Sequence, residues 1–260
     1  MLRVAIESFL QGATDSTLYL IDNSPTDEAR NLVIHPNIIY TFNDHNLGFG
    51  AGHNIALREA LKAGSKYHVV LNPDVYFDNA VIQNLHQFME ANEDIALTMP
   101  KVLYPDGRLQ PLCRLLPNPA MLLIRRFIPF YKKLFPKLNL AHELHFSGYD
   151  KIMDVPFLSG CFMFLRVDAL NHVGLFDERI FLYTEDMDLS RRIHLQFRTV
   201  FFPKVTIYHH HQRGSYRNVH LLLHNIHSAI LYFNKWGWFF DRQRKHINER
   251  VIFKLQNDFQ

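Results

Sequence analysis

The period of apolar and polar positions changes several times along the chain, and those changes divide it into elements. Leu2, Ile6 and Phe9 fall on one stripe of a helix over 2–9. Leu18–Ile21 and Ile38–Phe42 are short apolar runs of strand length. Between them, Thr26, Asp27 and Glu28 open a helix with the acidic first turn that its dipole favours. His68–Leu71 is a third run, of the kind that forms a buried strand. It stops at Asn72-Pro73-Asp74, because Pro73 has no ladder donor and pushes Asn72 out of helical space. Helical faces follow the second and third strands, at Ile55–Leu61 and at Val81, Ile82, Leu85, Phe88 and Met89. This alternation predicts a mostly parallel sheet with helices on both faces.

Beyond residue 90 the pattern loosens. Ile95–Met99 and Lys101–Gln110 read as strands turning at Tyr104-Pro105-Asp106-Gly107. Val155–Arg166 is an apolar strand with a break at Ser159-Gly160, where a backbone approaches a ligand or a bulge forms. Val200–Tyr208 is another strand, closing on His209-His210-His211, and Val219–Trp238 has helical spacing. Residues 241–250 read as a charged, solvated tail.

A chain of 260 residues implies one large domain, or one domain with a small appendage. A net charge of +3 does not point to a nucleic-acid partner. Cys113 and Cys161 have no metal-ligand spacing and suit a reducing compartment. No apolar run reaches the roughly 18 residues of a membrane span, and no signal peptide opens the chain. Within Met121–Leu138, the part from Ile124 to Leu138 is basic and aromatic, and two readings fit it: a membrane-surface segment, or an insertion with a solvated basic face.

Candidate chemistry gathers at element ends. Asp74 follows a central strand at its carboxyl end, where open α/β sheets bind ligands. It suits a hard divalent cation carrying a nucleotide diphosphate, or else it caps the next helix. Gly48, Gly50 and Gly52 precede a helix, and their backbone N–H groups either approach a phosphate or sugar or simply form a tight turn. Asp186 has Leu189 and Ile193 at +3 and +7, which places it over the buried stripe of its helix, as a candidate base or as a cap. Asp188 is rotated away, within reach of Arg191 and Arg192 in a surface pairing arrangement. The three histidines offer an imidazole metal ligand.

The segments LIDNSPTD, NLGFGAGHNIAL, LNPDV, FLSGCFMFLR, GLFDERIFLYTEDMDL and HHHQRGS, in that order, resemble the family 2 glycosyltransferases of the GT-A fold, in their rhamnosyltransferase-like branch. The resemblance covers about Leu2 to Ser215 and implies a transferase domain over 1–215 with a helical extension over 216–260. It implies an inverting transfer from a nucleoside-diphosphate sugar to a glycan or polyprenyl-linked acceptor in cell-surface polysaccharide synthesis, with Mg2+ or Mn2+ as cofactor. By position, Asp22 would contact the nucleotide base, Asn46, Gly48 and Asn54 would shape the donor pocket, and Asn72 and Asp74 would meet the diphosphate. Asp74 and one histidine, His210, would hold the metal, and Asp186 would be the general base, kept ionised by its helix N-terminus. The implied location is cytoplasmic, with peripheral contact at the inner face of the cell membrane. The family opens on a strand that lines the nucleotide pocket, and this sequence begins at the helix after it. A nucleotidyltransferase would show a Gly-rich, Lys- or Arg-containing loop after its first strand, which is not seen; a non-catalytic sugar-nucleotide or membrane-surface binding protein is the alternative of another class.

Overall fold

The structure is a computed structural model that describes residues 1–13, 15–128, 130–211 and 219–258. The N-terminal half runs α1 (Leu2–Gly12), β1 (Leu18–Asp22), a 3-10 turn (Glu28–Leu32), β2 (Ile38–Phe42), α2 (Phe49–Lys62), β3 (Tyr67–Leu71), β4 (Val75–Phe77), α3 (Ala80–Glu90) and β5 (Ile95–Leu103). A less regular middle holds β6 (Cys113–Arg114), α4 (Pro119–Phe127), α5 (Tyr131–Leu134), α6 (Pro136–His142), β7 (Met153–Asp154) and β8 (Phe157–Leu158). The chain then forms β9 (Phe162–Arg166), α7 (Val167–Val173), α8 (Glu185–His194), β10 (Arg198–His209), α9 (Val219–Trp236) and α10 (Arg242–Asp258). The last part of the HHHQRGS motif, residues 212–215, lies outside the described residues.

The α/β class expected from the sequence is observed, with a mixed sheet rather than a mostly parallel one. The central sheet has the order β3-β9-β5-β10-β4, with β7 also paired to β10. β5 and β10 pair in parallel, while β9 lies antiparallel between β3 and β5 and so reverses two ladders of the sheet. β1 and β2 form a separate parallel pair. The core packs on the central sheet, with Val70, Leu97, Phe164, Val200 and Ile207 all buried.

Three elements differ from expectation for identifiable reasons. β5 continues through Pro100, because its partner β10 is irregular just there, between Phe202 and Thr206. The run 155–166 divides into β8 and β9 at Ser159-Gly160, where a Cβ on Gly160 would stand 3.0 Å from the Cβ of Asp186. The charged tail is solvated on one face only: Arg242, Lys245, Glu249 and Arg250 are exposed, while α10 buries Ile247, Val251 and Leu255, and Asp241 just before it is buried against Arg191. Its polar residues fill one face while an apolar i, i+4, i+8 stripe fills the other.

The space between β1 and β3 is open along the whole length of the two strands. The cleft-side edges of β1 and β3 have no strand partner among the described residues. Both strands line one cleft of about 1650 Å³, which also receives α1, the start of α2, Asn72–Asp74, His209 and His211.

Candidate active site

The cleft collects residues from the ends of β1, β3 and β10. Asp22, the last residue of β1, is buried and lies on its wall. Its carboxylate accepts hydrogen bonds from the Ser24 amide (2.9 Å), the Ser24 hydroxyl (2.5 Å) and the Tyr40 hydroxyl (2.7 Å). Burial alone would raise its pKa, and these three donors outweigh burial and lower it. The carboxylate is therefore ionised and fixed in direction before any ligand arrives.

Next to it, Asn23 donates from Nδ2 to the Gly48 carbonyl (3.2 Å) and accepts at Oδ1 from Asn43 (2.8 Å). The glycines are not a loop ahead of the helix. α2 starts at Phe49, so Gly50 and Gly52 lie in its first turns. They permit close packing: a Cβ would stand 2.9 Å from Phe176 at Gly50 and 2.9 Å from the Asn23 amide at Gly52. Gly48, with φ +88°, takes a conformation that an L side chain rarely adopts, and Phe181 leaves no room for a Cβ.

Of the expected donor-site residues, Asp22, Asn72 and Asp74 line the cleft. Asn46, Gly48 and Asn54 do not. Asn46 accepts from the Gly48 amide (2.9 Å) and so shapes the turn. The Asn54 amide is consumed by the loop before α8: it donates to the Phe176 carbonyl and Glu178 (2.9 Å each) and accepts from the Phe176 amide (3.1 Å). Helix periodicity puts Asn54 on the packed side of α2 rather than on the side of the cleft.

The histidine expectation is corrected by one residue. β10 extends to His209, and its two-residue alternation buries Ile207 and His209 together. His209 Nε2 stands 3.3 Å from Asp74 Oδ1, and its Nδ1 stands 3.0 Å from Gln110 Oε1. His210 is exposed, with its ring beside Tyr76 on the other side of the strand. Its amide donates to the Asp74 carbonyl (3.1 Å), which fixes the Asp74 turn without bringing the imidazole to the cleft.

Among the described residues no group of three or more His, Cys, Asp or Glu is placed to hold a metal ion. The donor set of Asp74 and His209 fits a cation that takes one carboxylate and one imidazole from the protein and its other ligands from a diphosphate. Without a cation, the pair is held by a proton. Burial pulls the His209 pKa down, but the Asp74 carboxylate and Cys161 outweigh it and raise it to about 9. Since the folded value exceeds the unfolded one, the pair's stabilisation is complete below about pH 6.5 and is lost as pH rises through about 9. Thermal melts of metal-free protein and of His209→Asn should therefore differ most near pH 6 and converge above pH 9. A difference independent of pH would contradict the charged pair.

Asp186 stands at the N-terminus of α8, capped by backbone donors on both oxygens: Gly160 N–H to Oδ2 (2.8 Å) and Met187 N–H to Oδ1 (2.8 Å). It is half-buried and is not on the cleft wall; the Phe49 ring, which is, flanks Gly160 beside it. Asn72 is tied to the same strand by its amide bond to the Cys161 carbonyl (3.0 Å), so the Asp74 turn and Asp186 are held by adjacent residues of one segment. The helix N-terminus does not dominate its titration. Burial raises the Asp186 pKa, and the Gly160 amide and the Arg114 charge offset this only in part. Its neighbour Glu185 is buried more deeply, with Oε2 unpartnered, and burial plus the Asp186 charge push it well above the usual carboxylate range. Asp186, with two N–H donors, is the one of the pair that ionises first.

Asp188 is fully buried, not a surface residue. It accepts from Arg192 Nε (2.9 Å), Trp236 Nε1 (2.8 Å) and Lys235 Nζ (2.8 Å), and so joins α8 to α9. Arg191 does not pair with it: the Arg191 guanidinium makes a two-pronged bond to Asp241 (2.7 Å each) and stacks 4.0 Å from the Trp236 ring centre.

Sequence reasoning singled out neither His53 nor His68, which also line the cleft. Burial lowers their pKa values to about 3 and about 4, so both are neutral imidazoles at physiological pH. Sequence reasoning read Glu185 only as an alternative cap of α8. No spacing signal marks these three; the geometry of packed neighbours does.

An α/β fold with acidic residues at the carboxyl ends of its strands and a carboxylate at the N-terminus of α8 fits the GT-A arrangement that the sequence resembles. The profile of the glycosyltransferase-like family 2 matches residues 4–221, and the chain belongs to that family. It is 27% identical over 257 residues to the N-acetylglucosaminyl-diphospho-decaprenol L-rhamnosyltransferase of Mycobacterium tuberculosis, covering 90% of this chain and 81% of that one. Its fold is similar to that of the mannosyltransferase PcManGT of Pyrobaculum calidifontis solved with GDP-Man and Mn2+, at TM-score 0.54 and 14% identity, covering 87% of this chain and 59% of that one. It is likewise similar to S. aureus TarS 1-349 with UDP-GlcNAc, at TM-score 0.52 and 15% identity, covering 82% and 55%. The chain thus spans little more than half the length of these two solved structures.

Proposed function

We propose that the protein transfers a sugar, rhamnose or a similar hexose, with inversion, from a nucleoside-diphosphate donor to a hydroxyl of a glycan or polyprenyl-linked acceptor of the cell surface. The observation that carries this reading is the shared cleft of Asp22 and Asp74 at the ends of β1 and β3, with Asp186 braced on Gly160 close by. The relative's name, with its diphospho-decaprenol acceptor, supports the acceptor class.

In this reading Asp22 orients the nucleotide base and Asn72 lies along the diphosphate. Asp74 and His209 would hold a divalent cation, which when bound neutralises charge on the departing diphosphate. Asp186 accepts the proton of the acceptor hydroxyl as that oxygen attacks the anomeric carbon. The bond from that carbon to the diphosphate oxygen breaks on the opposite face. A raised Asp186 pKa strengthens it as a base.

No helix among the described residues is long and apolar enough to cross a membrane. Phe130 and Leu134 in the middle region and Phe239 and Phe240 before α10 are exposed, which supports peripheral contact with a lipid surface that carries the acceptor.

The test is a thermal-shift series of nucleotide sugars with and without Mn2+ or Mg2+, run on the wild type and on Asp74→Ala. Metal-dependent stabilisation by one donor in the wild type, lost in the folded variant, is the expected result. An equal response of both proteins would overturn the placement of the diphosphate.

A further inference from the structure

A second, smaller pocket of about 110 Å³ shares no lining residue with the cleft. It lies where β6, α4, the first residues of α8 and the middle of α9 meet, lined among others by Arg114, Arg125, His142, Thr184, Asn225 and Ala229. Met187, next to Asp186 in the chain, also lines it.

Two guanidinium groups line the pocket, and the carboxylates nearest them, Glu143 at Arg125 and Asp186 within the field of Arg114, leave a donor of each without a hydrogen-bond partner. Arg125 donates from Nη2 to Glu143 (2.8 Å), but its Nη1 is buried without a partner. Arg114 makes no ion pair among the described residues; it lies 5.5 Å from the Phe157 ring centre with a buried, unpartnered Nε. Burial lowers the Arg125 pKa, and the like charge of Arg114 lowers it further. Burial and these same two guanidinium groups hold His142 neutral. Thr184, the residue before α8, adds the positive end of a ten-residue helix. Each buried, unanswered donor of this kind is destabilising, and a tetrahedral oxyanion is a group that answers two guanidinium groups at once.

The surroundings narrow the source of that anion. α9, which supplies Asn225 and Ala229, presents Leu223, Ile226 and Ile230 to solvent along an adjacent stripe. An anion pocket at the border of an exposed apolar helix face matches an amphiphile with a phosphorylated head. We infer that the pocket of Arg114 and Arg125 binds the phosphate through which the acceptor is joined to its lipid, an assignment that rests on the transfer reaction proposed above.

Two measurements test it. Calorimetric titration of metal-free protein with inorganic pyrophosphate should show binding at least tenfold weaker in Arg114→Gln and Arg125→Gln than in the wild type, each variant first checked for a cooperative melt. In transfer assays, the ratio of kcat/KM for a lipid diphosphate-linked sugar over that for the same sugar as a neutral glycoside should fall at least tenfold in Arg114→Gln. Loss of charge acting on Asp186 would lower both rates and leave the ratio unchanged, which would overturn the assignment. So would unaltered pyrophosphate affinity in both folded variants. If the wild type transfers sugar to neither acceptor, the reaction proposed above fails, while the titration still decides the pocket.

Discussion

Asp186→Asn should fold, bind donor and transfer sugar roughly 10²–10⁴-fold more slowly than the wild type, the range for a lost general base. The substitution keeps the size of the side chain but changes one accepting oxygen into a donor. Since Gly160 N–H and Met187 N–H each point at one carboxylate oxygen, the amide must face one of them with its NH2 group. A stability loss of about 1–2 kcal/mol should accompany the catalytic defect. The wild-type rate should rise with pH as Asp186 ionises, from a pKa above the ordinary aspartate value, and this acid limb should be absent from the residual rate of the variant. Transfer of labelled sugar under single-turnover conditions, at several pH values, measures both effects. A variant that transfers at near wild-type rate would remove Asp186 from the mechanism.

The largest stability loss is expected two residues away. Asp188→Asn leaves Arg192 and Lys235 without their shared anion in a buried setting, and breaking such a pair costs about 3–5 kcal/mol. For a chain of this size that corresponds to a fall in Tm on the order of 6–10 °C. Because Asp188 bridges α8 to α9, proteolysis should release the C-terminal helices at lower temperature in the variant. The same substitution on a solvent-exposed i, i+4 pair would cost about 0.5 kcal/mol or less. Calorimetric melts separate the two values without any assay of activity.

That difference marks what the sequence made legible. The third residue of each helical turn is a local property, and it correctly puts Leu189 and Ile193 in the core. Whether the opposite face meets water is not local. Asp188 is buried because α9 supplies Lys235 and Trp236, 47 and 48 residues downstream, to that face. The tail was legible on its solvated face only, for the same reason, since Arg191 waits for Asp241 and the stripe of Ile247, Val251 and Leu255 needs the domain to pack on. The strand ends were legible at Asp22 and Asp74, where polar turn residues interrupt apolar runs. The histidines were misplaced by one position because the strand was ended early at Tyr208. Carried one residue further, two-residue alternation selects His209 along with Ile207. The glycines of α2 show a different limit: their number was visible, but the rings and amides against which they pack were not.

The open edges of β1 and β3 set a solvation rule for whatever enters the cleft. Their cleft-side amides and carbonyls have no strand to bond with among the described residues, so in a solvent-filled cleft each would bond water. A ligand that displaced this water with hydrocarbon would strand each group at a cost of roughly 1–3 kcal/mol. A ligand with many hydroxyl and phosphoryl oxygens would replace the water bond for bond. Despite the apolar side chains of Leu18, Leu20, Val69 and Leu71 along its walls, the cleft would therefore disfavour greasy occupants and favour heavily oxygenated ones.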